Sequence, residues 1–203
     1  MNSQARVFIV DDDDAVRDSL TMLLEAAGHT VAAFPGAMDF LETCTPDSKG
    51  CLILDVSMPD MDGPTLQQEL LQRGIQLPIL FLSGHGSIPT TVRTIKAGAM
   101  DFLTKPVDGA LLLSRVQEAL QRSAQVNMQT AEAQAATSRM AALTKREREV
   151  MMLTVAGHTS KEIAQRLAIS FRTVDIHRAH VMQKTGSSSL LELARIAWIS
   201  KPH

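Results

Sequence analysis

The sequence predicts two folds in series: an α/β unit with a five-stranded, doubly wound parallel sheet over residues 1–120, and an all-α unit of four short helices over 143–203. Three observations predict this. Five short apolar runs alternate with segments of helical spacing as far as residue 122, and strands joined by helices form parallel sheets with helices on both faces. From Leu143 the apolar runs stop and helix-capping signals take over. The charge divides at the same joint: residues 1–123 carry 16 acids against 9 bases, net −7, and residues 124–203 carry 6 acids against 11 bases, net +5.

In chain order, Arg6 to Val10 is the first strand, and it runs into four aspartates, Asp11 to Asp14. Helical spacing follows from Ala15 to Ala27 (Val16, Leu20, Leu23, Leu24), with Gly28 as a stop. Thr30 to Phe34 reads as a strand and Ala37 to Cys44 as a helix. Residues 51–54 are a buried strand, too short for a helix and followed by the turn residues Pro59, Gly63 and Pro64. A helix over 64–73, a strand over 78–82, a helix over 89–97, a strand over 101–103 and a helix from 108 to 122 complete the unit. Residues 121–142 are rich in Ala and Gln and hold no Gly or Pro, so they read as a helical linker.

Composition narrows the partners. No apolar run approaches the ~20 residues of a spanning helix. The polar start MNSQAR is not that of a signal peptide, and Cys44 and Cys51 have neither metal-ligand nor disulfide-framework spacing, so a reducing cytoplasm is expected, with no membrane. The basic second half points toward nucleic acid, although solvated surface charge gives the same imbalance.

Parallel strands all point one way, so the loops after strands one, three, four and five share a rim. On it fall Asp11 and Asp12, Asp55, Ser83 and Lys105. Taken alone, Asp55 could simply start a loop. Three converging carboxylates, however, repel one another unless a cation lies between them, and Mg2+ (or Mn2+) is suited to all-oxygen ligands completed by phosphate. Lys105 supplies a charge and Ser83 a hydroxyl for a phosphoryl oxygen. The cluster therefore suits Asp55 as a phosphoryl acceptor. A flavodoxin would need a phosphate loop where the four aspartates stand, and a dehalogenase-type phosphatase would need a second acid where Ser57 stands.

With IVDDDDAVRDSL, LDVSMPDMDG, FLSGHG and GAMDFLTKP in place, residues 6 to about 120 resemble the receiver domain of two-component response regulators, a flavodoxin-like fold. The resemblance implies Asp55 as the phosphorylated residue and a metal held by Asp11, Asp12, Asp55 and the Ser57 main-chain carbonyl, with Asp11 acting mainly through water. It implies Ser83 and Phe102 as the switch pair, and Lys105 before a proline that is usually cis. Asp13 and Asp14 read as solvated acids at a helix N-terminus, and Phe102 fits plain core equally well.

In the second half, Thr144-x-x-Glu147, Thr159-x-x-Glu162 and Ser189-x-x-Glu192 have capping-box form, and Ser170 is a further N-cap. Val150, Leu153, Ile163, Leu167, Val174, Val181, Leu190 and Leu193 form the expected shared core. A protein-binding basic bundle would look much the same. The stretch LTKREREVMMLTVAGHTSKEIAQRLAISFRTVDIHRAHVMQKTG resembles the helix-turn-helix of LuxR/NarL-type regulators and, joined to this receiver, FixJ-type proteins. The resemblance places residues 171–184 in the DNA major groove. Asp175, Ile176, Ala179, His180 and Gln183 then face bases, and Lys161, Arg172, Arg178 and Lys184 face phosphates. No thiolate or carboxylate set accompanies His177 and His180, so they are not read as a metal site.

These readings imply a phosphorylation-controlled transcription regulator and not an enzyme, with at most slow loss of its own phosphoryl group. The implied partners are a sensor histidine kinase, promoter DNA, a second copy of the chain and, as a further candidate, RNA polymerase. The alternative is a receiver-bearing adaptor whose basic helices bind protein.

Overall fold

Alternating apolar residues explain how one sheet is covered on both sides. The computed structural model describes residues 5–84 and 88–200. Its first five strands and helices are β1 (Arg6–Val10), α1 (Asp14–Ala26), β2 (Thr30–Phe34), α2 (Ala37–Thr43), β3 (Gly50–Asp55), α3 (Gly63–Gln72), β4 (Ile79–Ser83), α4 (Ile88–Lys96), β5 (Asp101–Thr104) and α5 (Gly109–Ala141). The strands pair in parallel in the order β2-β1-β3-β4-β5. Successive strand residues point to opposite faces. Phe8, Val10, Leu52, Leu54, Ile79 and Phe81 therefore meet Phe40 of α2 and Leu66 and Leu70 of α3. Val7, Ile9, Cys51, Ile53, Leu80 and Leu82 meet Leu20 and Leu24 of α1 and Leu112, Val116 and Ala119 of α5. Each fully buried Leu or Ile stabilises the unit by about 1.5–3 kcal/mol relative to exposure.

Helix α4 stands apart from this pattern. Its one buried residue is Thr94, whose hydroxyl bonds back to Thr90 and Thr91 and whose carbonyl accepts from Gln67 Nε2 at 3.2 Å. Its apolar residues Ile88, Val92 and Ile95 are exposed.

The chain divides into two units between Asn127 and Met128. In the second, α6 (Lys145–Val155), α7 (Ser160–Leu167), α8 (Phe171–Thr185) and α9 (Leu190–Ile199) follow the end of α5. The capping boxes at Thr144/Glu147 and Thr159/Glu162 form in full. At Ser189 only half forms: its hydroxyl accepts from the Glu192 amide, but the Glu192 carboxylate turns to Ser188. The turn between α7 and α8 passes through Ala168 in the left-handed region, φ +53°.

Three expectations for this unit change. The core is two clusters: Val150, Ile163 and Val174 between α6, α7 and α8, and Leu143, Met151, Val181, Leu193, Ile196 and Ala197 with Ala136 of α5. Leu190, expected inside, is half exposed, because α9 buries the face carrying Leu193, Ile196 and Ala197. Part of the stretch read as a linker packs here, since Ala136 and Met140 join the second cluster. Among the described residues no helix is long and apolar enough to cross a membrane.

Candidate functional site

The sheet register builds the first site. Val10 pairs with Leu54, so Asp11 and Asp55, one residue further on, emerge side by side. Ser83 pairs with Thr104, which places Lys105 just beyond the same edge. Asp11 and Asp55 are almost fully buried, and the Lys105 ammonium donates to Asp11 Oδ2 and to Asp55 Oδ1, each at 2.6 Å. The other Asp55 oxygen accepts from the Ser57 amide at 2.6 Å. Burial raises the Asp11 carboxyl above its usual range, only partly offset by Lys105 and the Asp13 amide. Burial pulls the Lys105 ammonium down, but its hydrogen bonds to Asp11 and Asp55 outweigh that and leave it raised.

The neighbouring acids have separate tasks. Asp12 is exposed at the mouth. Asp13 caps α1, accepting from the amides of Ala15 and Val16, and Asp14 pairs with Arg17. Sequence reasoning missed Arg17, whose guanidinium also donates to the Asp11 carbonyl at 2.7 Å and so fixes the loop after β1. Gly63 closes the site from below. A Cβ there would stand 2.3 Å from the Asp55 carbonyl and 2.9 Å from the Phe81 ring. Phe102, half-buried, stacks on that ring with centroids 6.3 Å apart. Ser83 is buried at the end of β4, and the Lys105–Pro106 bond is cis. His85 and Gly86 of the FLSGHG motif lie outside the described residues.

Two buried carboxylates, a third at the mouth and a single ammonium form an oxygen-rich, acid-excess set. That chemistry fits a hard dication such as Mg2+.

On α8, Asp175, Ile176, Ala179, His180, Gln183, Arg172 and Lys184 are exposed, as is Lys161 on α7, while Val174 and Val181 are buried. Among the described residues Lys161 and Arg172 make no ion pair. Two basic residues read as phosphate contacts have internal partners instead. Lys184 Nζ donates to Glu147 Oε2 at 2.7 Å, and Arg178 donates to Ser160 Oγ at 2.9 Å. The Ser160 hydroxyl in turn donates to Asp175 Oδ1 at 3.0 Å, which ties α7 to α8. Glu147 is buried, and its bonds from Lys184 and from the Thr144 amide hold its carboxyl down at about 2. Sequence reasoning did not foresee that one carboxylate stands beside His177 and His180. It is Glu147, brought from α6 by packing, and its role as an N-cap partner was the only signal visible in sequence.

Comparison with known proteins bears on both sites. Residues 7–117 match the response regulator receiver domain, and residues 141–197 match the bacterial regulatory proteins of the luxR family. The chain belongs to the response regulators with a LuxR-type output domain. This response regulator is 42% identical to the transcriptional regulatory protein FixJ of Azorhizobium caulinodans, over 96% of the chain and 92% of that protein. It is 40% identical to the response regulator protein TodT of Pseudomonas putida, over 94% and 84%. Among solved structures it resembles the response regulator StyR, with TM-score 0.88 and 41% identity over 96% of this chain and 98% of that one. Full-length FixJ from B. japonicum gives TM-score 0.59 and 38% identity, covering 98% of each chain.

Proposed function

We propose that this response regulator accepts a phosphoryl group on Asp55 from a partner histidine kinase, and thereby controls binding of its second unit to promoter DNA. One observation carries the reading: a buried carboxylate at the end of the central strand, gripped on one oxygen by Lys105 and on the other by the Ser57 amide. An Asp55 oxygen attacks phosphorus as the bond from phosphorus to the kinase histidine nitrogen breaks. The product carries roughly −1.5 to −2 charge at neutral pH. Lys105, already within 2.6 Å of Asp55, compensates part of it. Asp11, Asp12, Asp55 and the Ser57 carbonyl would hold Mg2+, which when bound supplies the remaining charge neutralisation.

The added charge draws the Ser83 hydroxyl toward the phosphoryl group, and Phe102 turns further in against Phe81. The surface of α4 and β5 changes with it, and it carries exposed Ile88, Val92 and Ile95. Two phosphorylated copies pair through that surface. On DNA, α8 enters the major groove. Ile176, half exposed, contacts a thymine methyl, while Lys161 and Arg172 contact phosphates. Ala179, His180 and Gln183 share the DNA side, and Asp175 reads a base with the oxygen that Ser160 leaves open. RNA polymerase is then a further partner at the promoter. Hydrolysis of the aspartyl phosphate by the protein itself is slow, and the protein works in the cytoplasm.

Footprinting on genomic fragments with protein phosphorylated by acetyl phosphate tests the reading. Protected sites should appear with the phosphorylated protein and weaken or vanish with Asp55→Asn. Protection that is indifferent to phosphorylation, or no DNA binding together with capture of a protein partner by the second unit, would favour the adaptor.

A further inference from the structure

We propose that Glu147, His177 and His180 form a binding site for a first-row transition dication of the Zn2+ class, bridging α6 to α8. One ligand atom from each lies within 4.8 Å of the other two. The histidines are three apart on α8, a spacing that puts both rings on one helix face. Glu147 comes from the first turn of α6, and its Oε1 stands 3.7 Å from His180 Nδ1.

Two features separate this cluster from a chance meeting of polar side chains. His177 Nδ1 is buried without a hydrogen-bond partner, whereas buried polar atoms ordinarily have one. The Glu147 carboxylate is divided: Oε2 takes the Lys184 ammonium and the Thr144 amide, which leaves Oε1 toward the histidines. A ligand on Oε1 therefore displaces no hydrogen bond that holds α6 to α8.

The donor set selects the ion. Two imidazoles and a carboxylate suit Zn2+, Cu2+ or Ni2+ and not Mg2+, which prefers oxygen ligands alone. Zinc bonds of about 2.0–2.1 Å require donors roughly 3.3 Å apart, so modest closure of the three side chains completes the set. His180 is half exposed, which gives the ion an entry path and leaves a position for water. A bound ion would staple the first turn of α6 to the middle of α8, and the site stands whether or not α8 reads DNA.

The test is titration of the full chain with Zn2+ in saturating Mg2+, followed by calorimetry, and with Co2+ followed by visible absorption. The expected result is one Zn2+ per chain and the intense d–d bands of a four-coordinate Co2+ with nitrogen ligands. His180→Ala, a change at an exposed position, should lower the affinity at least about 10-fold and abolish the bands. Asp12→Ala should keep them, since the receiver acids are not involved. If Zn2+ does not bind, or if binding and bands survive His180→Ala unchanged, the site is refuted and His177 Nδ1 is served by water.

Discussion

Lys184 on α8 donates to Glu147 on α6 at 2.7 Å, a bond between residues 37 apart in sequence, and its acceptor is almost fully buried. The lysine therefore holds the unit together, whatever it does on DNA. Lys184→Ala should lower stability by about 1–3 kcal/mol, because a buried charged acceptor loses its donor. Thermal unfolding of the full chain checks this. An unchanged melting temperature with uniformly weaker DNA binding would return Lys184 to a purely phosphate-contacting role.

The same pair sets an acid dependence. The Glu147 carboxyl is held at about 2 against an ordinary 4.5, chiefly by the hydrogen bond from Lys184 and next by that from the Thr144 amide. A lowered folded-state pKa contributes stability that is fully present above 4.5 and lost as pH falls toward 2. Glu147→Gln keeps the capping geometry and removes the charge. The stability gap between wild type and this variant should be widest at neutral pH and narrow progressively below about 4.5. A gap constant from pH 7 to pH 3 would contradict the linkage.

Metal binding at the receiver rim is tested at Asp12, the exposed acid at its mouth. Asp12→Ala should weaken Mg2+ binding at least about 10-fold and abolish phosphorylation, while leaving the fold intact. Titration with Mg2+ followed by calorimetry reads it. Normal phosphorylation of the variant would remove Asp12 from the site.

The proposed dimerisation through α4 has a direct test. Beryllofluoride with Mg2+ should raise the dimer fraction of the wild type in sedimentation, and Val92→Asp should keep the protein monomeric under the same conditions. Val92 is half exposed and packs into neither core cluster of the first unit, so the substitution should not unfold the receiver. A variant that still dimerises would place the interface elsewhere.

The proposed DNA contacts divide into two kinds with different expected signatures. Lys161→Ala and Arg172→Ala should weaken binding to all sequences alike and reduce the salt slope by about 1 each. Ile176→Ala should change preference among sites, by roughly 1–3 kcal/mol at one base pair. Competition binding over a range of salt separates them. Loss of site preference in the lysine variant alone would invert the assignment.

Much of this molecule is legible in its sequence. The strands of a parallel sheet are buried on both faces, so Leu52-Ile53-Leu54 and Ile79-Leu80-Phe81-Leu82 appear as unbroken apolar runs, and the rim residues follow from where those runs end. What escaped was long-range. The double grip of Lys105 on Asp11 and Asp55, the tie from Arg17 to the Asp11 carbonyl, the bond from Lys184 to Glu147 and the meeting of Glu147 with His177 and His180 depend on packing that sequence alone does not show. Leu190 failed for a related reason: period alone cannot say which of two overlapping apolar faces of α9 the neighbouring helices will cover.

The central claim is that Asp55 receives the phosphoryl group, and intact-mass and peptide mass spectrometry after incubation with acetyl phosphate and Mg2+ test it most directly. One phosphoryl group should be added per chain, mapped to the peptide holding Asp55, absent without Mg2+ and absent in Asp55→Asn. Undiminished labelling of Asp55→Asn, or labelling mapped to another residue of the wild type, would contradict the account.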